Sequence, residues 1–211
     1  MSNYNEVIEL IRLDPKSVFF INHIFLYNPC LVFLKDIIQK VKINNIKMIW
    51  NKFGSFNEDL LYNLFTHEVS ILSHLFGFNI KELKIIENEG VKTKCDILRV
   101  HFMINNIFCD ISINRFHPNK EKIILISTDS KNAFKWIDNS IFFIDQKRKK
   151  NKLLLKSKKN TLEISCRAFL KYIQSNSENY HSDLAFGSNV LKCVDDIAKK
   201  IKSNSGLVNG S

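Results

Sequence analysis

Lys94–Asn114 reads KCDILRVHFMINNIFCDISIN, and this stretch decides the fold class. Two apolar runs flank Asn105-Asn106, a pair that tolerates the positive φ of a tight hairpin turn. In the second run Ile107, Cys109, Ile111 and Ile113 face one side, and Phe108, Asp110, Ser112 and Asn114 face the other. A half-buried hairpin is expected, with Asp110 on its polar face.

Working outward, Asn28-Pro29 starts a helix: Asn caps, and Pro suits the first helical position. Leu31, Leu34, Ile37, Ile38 and Val41 then recur at helical spacing. Ile46–Trp50 reads as a short strand running into Phe53-Gly54-Ser55-Phe56, with a helical turn over 57–64 and a second strand at Val69, Ile71 and Leu72. Residues 3–13 form a short amphipathic helix that stops before Pro15. Beyond His117-Pro118, residues 130–146, 161–174 and 186–201 carry helical spacing. The expected architecture is α/β (α+β): a sheet domain over 20–117, a helical domain from 1–19 plus 118–203, and a loose tail over 204–211.

The bulk numbers set limits. A chain of 211 residues makes one large domain or two small ones. The net charge of +10 favours a polyanionic partner, nucleic acid first, although drift toward Lys, Asn, Ile and Phe accounts for part of it. Between Lys147 and Lys159, thirteen residues hold eight Lys or Arg and no acid. A solvated charged loop and a grip on a phosphate backbone explain that run equally well. Five cysteines, an odd number without a C-x-x-C pair, suit a reducing compartment and argue against zinc. Val18–Leu34 is apolar, but Asn22, His23, Asn28 and Pro29 break it, so it is too polar for a membrane span. The N-terminus lacks a signal pattern. A soluble, intracellular protein with no membrane partner is expected. The six histidines are scattered and read as structural or exposed.

Two constellations carry chemistry. Gly54-Ser55 follows a strand, where a glycine lets the backbone approach phosphate and a serine hydroxyl binds its oxygens. Two-metal phosphoryl transfer needs carboxylates on neighbouring strands. Asp110 is one candidate. Thr66-His67-Glu68 is the other: on a strand Thr66 and Glu68 share a face, and only Glu68 carries charge.

Taken in order, these pieces resemble the poly(A) polymerase-like terminal RNA nucleotidyltransferases of the DNA polymerase β-like superfamily. Phe53-Gly54-Ser55-Phe56 is similar to that family's F-G-S-(F/Y), Asp59-Leu60 to its D-L dipeptide, and Asp110-Ile111-Ser112-Ile113-Asn114 to its third-aspartate strand. Leu98-Arg99-Val100 resembles its R-V strand, and Asp183–Ile197 its base-recognising segment. Thr66 and Glu68 fall on its paired aspartates, so the metal-binding pair is degraded. The resemblance implies a palm sheet packed against a helical domain. It implies Gly54 and Ser55 on a nucleoside triphosphate, and Glu68 and Asp110 as catalytic ligands of Mg2+. It implies RNA or a ribonucleoprotein as partner, held by Lys147, Arg148, Lys149, Lys150, Lys152, Lys156, Lys158 and Lys159. With one ligand charge missing, the expectation is weak or lost nucleotidyl transfer. The alternative is a non-catalytic relative that binds RNA or the ribosome. A protein partner on the helical half is a third expectation.

Overall fold

The structure is a computed structural model that describes residues 4–13, 20–175 and 184–206. Along the chain come α1 (Tyr4–Leu13), a 3₁₀ turn (Ile24–Tyr27), α2 (Pro29–Ile38), β1 (Ile43–Asn51), a π-helical turn (Leu61–Phe65) and α3 (Thr66–Phe76). Then follow β2 (Ile80–Glu89), β3 (Ile97–Ile104), β4 (Ile107–Asn114), β5 (Glu121–Thr128), β6 (Asn132–Ile137), β7 (Ser140–Asp145) and β8 (Lys150–Lys156). Two helices close the series, α4 (Thr161–Ser175) and α5 (Leu184–Gly206).

The chain forms two compact units and passes between them at 28/29, 60/61, 78/79 and 158/159. One unit holds α1, α3, α4, α5 and the 3₁₀ and π turns; the other holds α2 and all eight strands. It is a mixed α/β fold.

The sheet runs in the order β2-β3-β4-β1-β5-β6-β7-β8. Only β1 and β4 pair in parallel; the other neighbours are antiparallel. A parallel pair needs a long crossover, and α3, β2 and β3 supply it between β1 and β4. The antiparallel pairs need only tight turns. Asn105 and Asn106 take φ 48° and 66° between β3 and β4, and Asp138 takes 51° between β6 and β7. Alternation then buries Leu98, Val100, Phe102 and Ile104 of β3 with Cys109, Ile111 and Ile113 of β4, Ile46 and Met48 of β1, and Ile124 and Ile126 of β5. Cys109 serves as a small apolar side chain; burial pushes its thiol pKa up to about 12. In α2, Leu31, Leu34 and Ile38 are buried at helical spacing.

Beside the end of β4 a buried ion pair ties three loop segments together. Arg115 is 1% exposed, and its Nη2 donates to Asp96 Oδ1 at 2.6 Å and to the Cys95 carbonyl at 2.8 Å. Its Nη1 donates to the carbonyls of Ser55 and Glu58 at 2.7 and 2.6 Å. Asp96 Oδ2 accepts from the backbone N–H groups of Val91, Lys92 and Thr93. Burial alone would raise the Asp96 pKa, but the donors from Thr93, Val91 and Lys92 outweigh it and hold the carboxyl below the usual carboxylate range.

The hairpin over 94–114 and the helices over 161–174 and 186–201 stand where the sequence puts them. Three expectations need correction. Residues 130–146 are not a helix; they form β6 and β7, and the turn at Asp138-Asn139 splits the apolar spacing that suggested helix. Val69, Ile71 and Leu72 lie in α3, not on a strand. The nucleotidyltransferase palm is absent: the sheet does not stop at 117 but continues through β5, β6, β7 and β8.

Candidate functional site

In the helical unit a cavity of about 290 Å³ is lined by Ile21, Asn22, His23, Tyr62, Asn63, Thr66, His67, Gly187 and Leu191. That is near the small end of ligand cavities, which run from about 300 to 1,000 Å³. Among these lining residues none is Asp, Glu, Lys or Arg. An uncharged wall with several hydrogen-bonding groups suits a neutral polar molecule rather than an ion.

Local geometry sets each side chain. The π turn at Leu61–Phe65 widens the helix just before α3, and such widened turns often serve functional sites. It places Tyr62 and Asn63 on the cavity, and the first turn of α3 adds Thr66 and His67. Thr66 Oγ1 donates to the Leu61 carbonyl at 2.9 Å, tying the first residue of α3 back to the start of the wide turn. The His67 ring meets Phe25 at a centroid distance of 5.1 Å and 82° between planes. Tyr62 Oη donates to Asp195 Oδ1 at 2.6 Å, so its remaining hydrogen-bonding capacity is as an acceptor. Among the lining residues Asn22 is also engaged: Ser165 Oγ donates to its Oδ1 at 3.0 Å. His23 stands T-shaped to Phe186 at 5.6 Å, and burial lowers its pKa to about 4, so its ring is neutral at neutral pH. In α5 Gly187 leaves room for the Ile21 side chain; a Cβ at that position would collide with Ile21 Cδ1.

The expected triphosphate and metal site does not assemble. Gly54 and Ser55 do form a special turn, with φ 106° and 59°. Its groups are engaged within the protein: Lys52 Nζ donates to Ser55 Oγ at 2.6 Å, and Arg115 takes the Ser55 carbonyl. No helix starts behind it before Leu61, so no fan of helix N–H groups faces a phosphate. Asp110 does lie on β4, the strand beside β1. Yet Gly54 N bonds to the Arg115 carbonyl, while Asp110 sits opposite Lys47. Arg115 lies five positions beyond Asp110, roughly 16 Å along a strand.

Asp110 is spent on a bidentate ion pair. Arg99 Nε and Nη2 donate to its two oxygens at 2.9 and 2.8 Å, and His101 Nε2 lies 3.2 Å from Oδ1. Burial works to raise its pKa, but Arg99, His101 and Lys47 together hold it below the usual value. Glu68 is 1% exposed on α3 of the other unit. On a helix, residues two apart point to different sides, so Thr66 and Glu68 lose the shared face that a strand would give them. Among the described residues no group of three or more His, Cys, Asp or Glu has metal-holding geometry.

The eight basic residues are all exposed. Lys147, Arg148 and Lys149 form the turn between β7 and β8, Lys150, Lys152 and Lys156 lie on β8, and Lys158 and Lys159 follow it. Arg148 N donates to Asp145 Oδ1 at 3.0 Å. No described helix is long and apolar enough to cross a membrane.

Sequence reading missed His23, Asn63 and His67 as site residues. A signal was present: Asn22 and His23 interrupt an apolar run, and Asn63 and His67 stand one helical turn apart.

Over nine-tenths of its length the chain superposes on solved oxidoreductases, not on nucleotidyltransferases. One is UDP-N-acetylglucosamine 3-dehydrogenase GnnA from Acidithiobacillus ferrooxidans, at TM-score 0.79 and 16% identity, covering 92% of this chain and 65% of that one. A dehydrogenase from Chromobacterium violaceum gives TM-score 0.80 at 11% identity, covering 99% and 69%. A variant of KijD10, a 3-ketoreductase from Actinomadura kijaniata in complex with TDP-benzene and NADP, gives 0.77 at 9%, covering 93% and 66%. The chain thus spans about two thirds of the length of these proteins. No protein-family model matches the sequence, and no curated protein matches it. These likenesses overturn the poly(A) polymerase resemblance, the expected nucleotidyl transfer, and Mg2+ with a nucleoside triphosphate as its cofactor and substrate. The short motifs matched without their three-dimensional frame: the residues aligned with the aspartate pair are helical.

Proposed function

We propose that this chain is the substrate-binding part of an oxidoreductase. In this reading it holds a small neutral molecule with hydroxyl or carbonyl groups in the cavity walled by Tyr62, Asn63, Thr66 and His67. The observation that carries the reading is the cavity itself: uncharged, about 290 Å³, with hydrogen-bonding side chains gathered on one widened helical turn. The fold shared with dehydrogenases and a ketoreductase supports it. Asn63 and Thr66 would orient the molecule. Histidine is the side chain most used to take or return a proton at a hydroxyl, and His67 stands where that hydroxyl would lie.

A nicotinamide dinucleotide, which accompanies two of the similar structures, does not fit the residues present. Dinucleotide folds use a parallel sheet and a G-x-G-x-x-G turn leading into a helix. Among the described strands only one pair is parallel. The six glycines stand at 54, 77, 90, 187, 206 and 210, so that spacing does not occur. Any nicotinamide that takes part comes from outside these residues.

Calorimetric titration of the full chain with N-acetylglucosamine and glycerol as neutral probes, and NADH and NADPH as controls, tests the reading. A neutral probe binding the wild type and losing at least tenfold in Asn63→Leu and His67→Leu, with no dinucleotide binding, is expected. Binding of neither neutral probe, or binding indifferent to both substitutions, would overturn it.

A further inference from the structure

We propose that His23 is a buried anchor of this cavity, whose Nε2 exchanges a hydrogen bond with a second polar group of the bound molecule. The inference rests on the substrate-binding reading and narrows it: the molecule must carry two hydroxyl or carbonyl groups, one toward His67 and one toward His23.

Three observations converge. His23 is 4% exposed, yet its Nε2 is a buried atom with no hydrogen-bond partner among the described residues. Native proteins seldom leave such a group unsatisfied. The ring is also held in place. His23 N donates to the Ile21 carbonyl at 2.9 Å, its own carbonyl accepts from Leu26 N at 2.9 Å, and Phe186 packs T-shaped against the imidazole. A side chain fixed on the wall of a cavity and left short of one hydrogen bond is poised for a ligand rather than for the protein core. Finally, the buried ring is neutral at neutral pH, because burial puts its pKa at about 4. A neutral imidazole nitrogen pairs with a hydroxyl or carbonyl and gives no advantage to an anion. This agrees with a wall free of Lys and Arg among its lining residues.

The test uses the full chain labelled with 15N-histidine, with the ring nitrogens followed by NMR during titration with N-acetylglucosamine and, separately, glycerol. The expected result is that Nε2 of His23 shifts together with the His67 ring and saturates at the same probe concentration. His23→Phe should weaken binding at least tenfold, while His23→Gln, which keeps a hydrogen-bonding end, should stay within about threefold. If His67 shifts while His23 does not, or if His23→Phe binds as tightly as wild type, His23 serves the protein or a resident water and this inference falls while the cavity reading stands. If neither ring responds to either probe, both fall. The wild-type spectra decide the matter even if His23→Phe does not fold.

Discussion

Asp96→Ala is the substitution whose cost the structure sets most sharply. It removes the carboxylate facing Arg115, a guanidinium whose side chain is 1% exposed. The charge is then left in a low-dielectric interior with only carbonyls and the Thr93 hydroxyl around it. Three backbone N–H groups, of Val91, Lys92 and Thr93, also lose their acceptor. Breaking a buried pair from one side costs about 3–5 kcal/mol. Summing the hydrogen bonds separately would give far more, but water entering the vacated space offsets part of that loss. At this chain length, with about 2–4 °C per kcal/mol, the melting temperature should fall on the order of 10 °C. Urea denaturation followed by circular dichroism at pH 7 is the assay. The sign with pH also follows. The Asp96 carboxyl titrates below its unfolded value of about 3.9, so its contribution is complete above that pH and fades as pH falls through the folded value. The gap between wild type and variant should therefore narrow under strong acid. A loss below about 1 kcal/mol at pH 7, or a gap that widens with acid, would refute the account of Arg115 and Asp96 as the tie between these loops.

Gly187→Ala drives a methyl group against Ile21 Cδ1 on the cavity wall. That atom ends a flexible side chain, so the expected cost is modest, about 1 kcal/mol, while probe affinity drops as Ile21 swings into the cavity; denaturation and calorimetry on the same variant separate the two effects. His23 gives a second pH effect. Its folded pKa of about 4 lies below the unfolded value of about 6.5, so the unfolded chain takes the proton first, and stability should decline by about 3 kcal/mol between pH 6.5 and 4. Comparing His23→Gln with wild type at both pH values isolates this share, and an identical decline in the two would show that His23 does not cause it.

The sheet was legible where one face meets the core. Ile107, Cys109, Ile111 and Ile113 recur at every second position, and Asn105 and Asn106 both take positive φ at the turn, so the local sequence favours a hairpin. Residues 130–146 were ambiguous for a physical reason. Ala133, Phe134, Ile137, Ile141 and Ile144 fit a helical period, and only the positive φ of Asp138, a local backbone choice, divides them into strands. Thr66–Phe76 reversed the error: its β-branched residues suggest strand, but every residue from Glu68 to Ser73 is buried, and packing on all sides of this helix hides the period and overrides propensity. The cavity was the least legible part. Its walls come from segments around 22, 64 and 189, and nothing local in the sequence says that these meet. Asp110 shows the opposite hazard. A carboxylate in a motif-like setting reads as a ligand, while Arg99, which pairs with it across the strands, and His101, directly opposite it, stand two and four residues into the preceding strand.

β8 is the last strand of the sheet and bonds to β7 along one side only. Among the described residues no strand pairs with its other side, which leaves amides and carbonyls on which a second molecule could template a ninth strand. Lys150, Lys152 and Lys156 stand along that margin. Stacking two such borders would crowd ammonium groups together and strip their hydration. Like-charge repulsion among these lysines would oppose such edge-to-edge pairing.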